Sequence, residues 1–167
     1  MTFDQTKIDS NELGRVLSDT SMRWRKLVEN KISALGLAYG EFRVLRVLGD
    51  SGTCSMVKLA REQMITQAGM TSIVDRLENQ GLIERVRCKT DRRVINIGIT
   101  RKGGRLLEAA SRLNRELVER AVGNLTEQEI KQLVITLKKM LTSAESNQSQ
   151  ELVGTTVRPE WSKQQRG

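Results

Sequence analysis

From about Ser10 to Leu35 the apolar residues Leu13, Val16, Leu17, Trp24, Leu27, Val28, Ile32 and Leu35 recur at three- and four-residue steps. That spacing predicts one amphipathic helix of about seven turns, stopped by Gly36. A short apolar helix follows over Gly40–Leu48, with Phe42, Leu45 and Leu48 on one face, and Gly49-Asp50-Ser51-Gly52 reads as a turn by composition. Two helical stretches come next, Ser55 to about Gln63 and Thr66 to Gln80, the second with Met70, Ile73, Val74 and Leu77 inward. Thr66 suits an N-cap and Gly81 the position just past the helix end.

The period then switches from 3.6 to 2. In Val94–Ile99 the residues Ile95, Ile97 and Ile99 alternate with polar or small ones, which predicts a half-buried strand, and Leu82–Cys88 is its partner. Lys89-Thr90-Asp91-Arg92-Arg93 between them makes a hairpin with a basic tip. Thr100 caps a long helix from Arg101 to about Val122, and Thr126-Glu127-Gln128-Glu129 is a capping box that opens a last helix through about Ala144. The fold class expected is mainly α with a small β-hairpin. Residues 146–167, rich in Ser, Gln, Thr and Gly, read as a flexible or loosely docked tail.

Composition removes several classes of chemistry. The 167 residues contain no histidine, so a histidine-based nucleophile system or general base is excluded. Two cysteines, Cys54 and Cys88, neither fill a four-ligand zinc site nor form a CxxC clip. Gly49-Asp50-Ser51-Gly52 has the form of a protease nucleophile motif, but without histidine it is a turn. Arg101-Lys102-Gly103-Gly104-Arg105 lacks the spacing of a phosphate-binding loop. No metal site, cofactor or enzyme activity is expected. No stretch is long and apolar enough for a membrane span and no export signal is visible, so a cytoplasmic protein is expected.

Charge points to a partner. The net charge is +8, and residues 37–103 hold 12 Lys and Arg against 7 acids, which is +5 of it. Residues 85–105 contain eight basic residues and one acid, so the basicity is focused on the hairpin. Two helices joined by a short break and followed by a cationic hairpin form a winged helix-turn-helix. A helix fits the major groove of duplex DNA, and a hairpin beside it reaches phosphates or the minor groove. The candidate base-reading residues at the start of the second helix are Thr66, Gln67, Gly69, Met70, Thr71 and Ser72, with Gln67 suited to adenine. Lys89, Asp91, Arg92 and Arg93 are the candidate wing residues, and Ser55 and Arg76 are candidate phosphate contacts.

Leu59-Ala60, Thr66-Gln67, Val74-Asp75-Arg76-Leu77-Glu78, Gly81-Leu82-Ile83-Glu84-Arg85, Asp91-Arg92-Arg93 and Ile99-Thr100-Arg101-Lys102-Gly103 occur in that order. Together they resemble the MarR family, including its SlyA-like members, over about residues 10–145. The resemblance implies a homodimeric winged helix-turn-helix transcription regulator that binds pseudo-palindromic double-stranded DNA. Many members release the DNA when a small aromatic or phenolic ligand, or an oxidant, is sensed. Arg93 would enter the minor groove and Asp91 would orient it. Many members carry an arginine where this chain has Ser72, which predicts a different operator preference. The implied organisation is an N-terminal dimerisation helix (1–36), a DNA-binding lobe (37–103), C-terminal dimerisation helices (104–145) and the tail. The implied ligand pocket offers Met22, Trp24, Arg25, Tyr39 and Phe42. Cys88, flanked by Arg87 and Lys89, reads as a packing residue, with an oxidant-sensing thiolate as the alternative. The alternative function is an architectural protein that coats DNA without sequence preference.

Overall fold

The computed structural model describes residues 9–87 and 95–154, with residues 87 and 145–154 as backbone alone. Its contacts group into two compact units, Met1–Arg120 and Ala121–Gly167. In the first unit, helix α1 spans Ser10–Ile32 and runs into a 3-10 turn at Ser33–Leu35. Asp9 Oδ1 caps α1 by accepting from the Asn11 amide at 3.2 Å. Glu12 near its start and Lys31 near its end complement the helix dipole. Only its C-terminal part is buried, through Val28 and Ile32.

Helix α2, Tyr39–Ser51, is longer than its apolar pattern predicts. Gly49-Asp50-Ser51 belongs to the helix and not to a turn. The Gly52 amide still donates to the Leu48 carbonyl at 2.9 Å, so the α-helical ladder carries on to that point. Gly49 is where another helix packs closely, since a Cβ there would lie 2.6 Å from Leu107 Cδ2. The reversal is made by Gly52 alone, at φ +74°.

After it comes β1, Thr53–Ser55, then α3, Met56–Gln63, and α4, Gln67–Asn79. Strands β2, Ile83–Arg87, and β3, Ile95–Ile99, form the hairpin. The sheet has three antiparallel strands in the order β1-β3-β2, so β3 is central. Ile83 pairs with Ile99 and Arg87 with Ile95 on one side, and Cys54 pairs with Ile97 on the other. Three residues are too few to show an alternating pattern, so β1 had no periodic signal in the sequence.

The core of this unit draws on every element. Val44, Leu45 and Leu48 of α2, Leu59 of α3, Met70, Val74 and Leu77 of α4, Leu82, and Ile97 of β3 are all 2% exposed or less. Each contributes on the order of 1.5–3 kcal/mol by leaving water, the dominant favourable term in the lobe. Helix α5, Arg101–Ala121, is stitched to the lobe at its start. Thr100 Oγ1 accepts from the Gly103 amide at 3.1 Å and donates to the Gly81 carbonyl at 2.8 Å. Lys102 Nζ donates to the Gln80 carbonyl at 2.8 Å. Gly103 has to be glycine because a Cβ there would land on the Leu82 carbonyl oxygen.

In the second unit, α6 spans Glu127–Gly154 and opens with the expected capping box. Glu129 Oε2 accepts from the Thr126 amide at 2.7 Å and from its hydroxyl at 2.8 Å. These two bonds hold the Glu129 carboxyl below its ordinary pKa, the backbone amide contributing most. The helix continues past its expected end near Ala144 to Gly154, so residues 146–154 are helical. Residues 145–153 contain neither Gly nor Pro, and nothing in them breaks the ladder. Leu133, Val134, Leu137 and Leu141 stand 39–63% exposed along it. Among the described residues, no helix is long and apolar enough to cross a membrane.

Candidate nucleic-acid interface

The helix-turn-helix is α3 and α4. Ser55 Oγ caps α3 by accepting from the Lys58 amide at 3.3 Å, and Thr66 Oγ1 caps α4 by accepting from the Gly69 amide at 3.1 Å. The turn between them passes through Met64 at φ +54°, a left-handed conformation in a residue 81% exposed. The Ile65 amide then reaches back to the Ala60 carbonyl at 3.1 Å, which closes the turn.

Helix α4 presents Gln67, Ala68, Thr71 and Ser72 to solvent. This face carries no charge over its first two turns. The Thr71 hydroxyl donates to the Gln67 carbonyl at 2.9 Å and the Ser72 hydroxyl to the Ala68 carbonyl at 3.3 Å. The lone pairs of both hydroxyls therefore point outward as acceptors. Gly69 is half-buried behind this face. Met70 does not belong to it. Met70 is fully buried in the core, one residue off the exposed stripe, and cannot meet a base edge.

Ion pairs hold both edges of α4. On one edge, Arg76 Nε donates to Glu41 Oε1 at 3.0 Å. Arg76 thus has a partner in α2 that its sequence context did not reveal. On the other edge, Arg85 of β2 reaches Asp75 Oδ1 at 2.6 Å and Glu78 Oε2 at 3.0 Å. The recognition helix and the first strand of the wing are joined directly. The wing residues Lys89, Asp91, Arg92 and Arg93 lie outside the described residues, as does Cys88.

The five expected pocket residues do not converge. Phe42 is 3% exposed and belongs to the core cluster with Val44, Leu45 and Leu48 of the same helix. Trp24 is half-buried against the same core. Met22 is 64% exposed and lines an open cleft along α1 with Arg23, Arg25, Lys26 and Glu29. Arg25 and Tyr39 do meet, the guanidinium standing 5.5 Å from the ring centroid in a cation–π contact. They share a cavity of about 200 Å3 with Gly40, Arg43, Gln63, Ile65 and Ile73. Gln63 was missed by the sequence reading, because a glutamine at a helix end carries no signal. It is 6% exposed and lines this cavity. The Cys54 thiol is buried, and burial pushes its pKa above the ordinary value, with Lys58 opposing and Glu62 adding to the shift. A buried, protonated thiol is poorly reactive.

The model of the MarR family matches residues 37–95, from the start of α2 into β3. The multiple antibiotic resistance protein MarR of Salmonella typhimurium is 28% identical over 130 residues, covering 77% of this chain and 90% of that protein. The HTH-type transcriptional repressor NicR of Pseudomonas putida is 28% identical over 145 residues, covering 86% and 92%. A mutant MarR of Escherichia coli, solved in complex with operator DNA, superposes with a TM-score of 0.69 at 26% identity, over 77% of this chain and 93% of that one. The chain is similar to the MarR family in sequence from α2 to the start of β3 and in fold over most of its length. These relatives are transcription regulators and not enzymes, and the helix-turn-helix with its hairpin is the DNA-binding part they share with this chain. The family match runs through both helices of the helix-turn-helix and β2, and ends at Ile95, the first residue of β3.

Proposed function

We propose that this chain is a MarR-family regulator that acts in the cytoplasm as a homodimer and reads a pseudo-palindromic operator. Helix α4 lies in the major groove and the wing, led by Arg93, in the minor groove. The observation that carries this reading is the solvent-facing stripe Gln67, Ala68, Thr71 and Ser72, uncharged and held at both edges, beside a hairpin that concentrates the chain's basicity. The phosphates are left to the basic residues around it, and bases to the stripe. Ser55, at the start of α3, is placed to meet the backbone, as first helices of such pairs do. The exposed leucines of α6 support association with a second copy, because such a stripe is costly to leave in water.

Control by a small effector rests on the cavity between α1, α2 and the α3–α4 turn. Two guanidinium groups, a phenol and the Gln63 amide suit a small planar molecule bearing a carboxylate. A bound molecule there touches Ile73 of α4 directly. The complex of the E. coli relative with operator DNA and the repressor function named for NicR support DNA-dependent regulation as the wider frame.

The test is selection of genomic fragments on the purified protein at ~0.15 M salt, followed by sequencing. Half-sites about one helical turn apart are expected. An unenriched pool removes the sequence-specific reading and leaves the architectural one.

A further inference from the structure

Four of the five ion pairs among the described residues join side chains that are each more than a third exposed or at that limit. The fifth is different. Glu41 has a side chain only 4% exposed, and its partner Arg76 lies 35 residues away on the recognition helix. The two carboxylate oxygens have separate tasks. Oε2 accepts from the Ala38 amide at 2.9 Å and so caps α2. Oε1 accepts from Arg76 Nε at 3.0 Å. A carboxylate kept from water tolerates little displacement of its partners, because an unpaired buried charge is costly. Such a contact is stiffer than an exposed pair, whose charges are screened and whose side chains wander.

We propose that Glu41 is a positioning residue for operator recognition: by anchoring Arg76 to the core of α2 it fixes the rotation of α4 about its own axis. The inference rests on α4 being the base-reading helix. Helix geometry gives the scale. Side-chain tips stand about 5–6 Å from the helix axis, so a 10° rotation carries Gln67 or Thr71 about 1 Å sideways. A shift of about 1 Å takes a hydrogen bond out of range. Arg85 restrains the opposite edge, but its carboxylate partners are 51% and 38% exposed. The Arg76 cation is itself 56% exposed, so the difference lies in the carboxylates: the buried Glu41 is the fixed end of its pair, whereas both ends of the Arg85 pairs are solvated. Binding to random DNA, which depends on charge and not on helix rotation, does not need the anchor.

The experiment uses the full chain with variants Glu41→Gln, Arg76→Gln and the double variant. Glutamine at 41 keeps the volume and an oxygen for the Ala38 amide, but presents either a weaker acceptor or a donor to the guanidinium. Affinity is measured for the selected operator and for random DNA at one salt concentration, with thermal melts alongside. The ratio of specific to random affinity is expected to fall about tenfold in each single variant. The double variant should fall no further, because both substitutions cut one link. Random-DNA affinity of Glu41→Gln should hold or rise, since one negative charge is lost. An unchanged ratio in Glu41→Gln, even with a lowered Tm, overturns the proposal while leaving the DNA-reading helix intact. Equal loss of specific and random affinity overturns it as well. A wild-type protein that binds all sequences alike overturns both the proposal and the reading beneath it.

Discussion

The Arg85 guanidinium stands 2.6 Å from the Asp75 carboxylate, so the first strand of the wing is tied to the outer edge of the recognition helix. With Glu78 also 3.0 Å from Arg85, one cation serves two anions. All three groups are partly solvated, and the contribution to folding is at most about 1 kcal/mol.

The larger effect of that cluster is expected in binding. Arg85→Gln leaves Asp75 and Glu78 uncompensated beside the DNA, and their field repels phosphate. Operator affinity should drop, more steeply at low salt than at high, with Tm changed by only a few degrees. Adding Asp75→Asn should recover part of the loss. A salt titration of all three proteins checks this, and parallel curves for wild type and Arg85→Gln would contradict it.

Base reading and phosphate binding should separate by residue. Arg93→Ala is expected to weaken binding to all sequences and lower the salt slope by about one unit. Gln67→Ala is expected to cost roughly 1–3 kcal/mol on the operator and to relax preference at one base pair. Competition with operators mutated one position at a time measures both. A salt slope unaffected by Arg93→Ala removes the wing from the interface.

Two neighbouring glycines should respond in opposite directions. A Cβ at Gly103 meets the Leu82 carbonyl, which is backbone and cannot swing away, so Gly103→Ala should destabilise by about 3 kcal/mol. A Cβ at Gly104 meets nothing within 4 Å, and alanine is the better helix former, so Gly104→Ala should stabilise by about 0.5–1 kcal/mol. Urea denaturation of the two variants provides the comparison.

Cys54 should be silent to oxidants and alkylating agents. In a Cys88→Ser background, native protein at neutral pH should react with a thiol reagent at least about tenfold more slowly than denatured protein. The pH dependence follows from the raised pKa. Burial favours the protonated thiol, so its contribution to stability is complete below the ordinary cysteine value and is lost as pH rises through the folded one. Melts between pH 7 and pH 10 should show this loss in the Cys54 protein and not in a Cys54→Ala variant.

Association through α6 is tested at Leu137, 39% exposed in the single chain. Leu137→Glu should halve the apparent mass in sedimentation while keeping the helical signal. An unchanged mass would exclude this stretch of α6 from the contact between copies.

Much of this arrangement was legible in the sequence, for reasons that differ by residue. The 3.6-residue pattern located α1, α4 and α5, and the alternation of isoleucines located β3, because burial imposes both periods directly. The motif at Thr100–Gly103 marked the start of α5, and its hydroxyl, amine and missing Cβ each meet a backbone carbonyl of the turn between α4 and β2. What the sequence hid depends on distance in the chain. Glu41 and Arg76 lie 35 residues apart, and no local pattern marks them as a pair. Met70 was placed on both the inner and the reading face, a conflict only the helix's actual rotation resolves. Phe42 was assigned to a ligand pocket because it is aromatic, yet it serves the core like its aliphatic neighbours.

The register of the sheet has a consequence for how such a regulator changes over time. The ladder between β2 and β3 is fixed at Ile83↔Ile99 by the core and ends at Arg87↔Ile95. Behind it, β1 pins the other side of β3 just before α3 begins. The chain joining residues 87 and 95 is anchored at both ends by a frame that does not depend on what lies between. A change in the length of that connection therefore leaves the pairing of β1, β3 and β2 in place, so the reach of the wing is separable from the lobe that carries it.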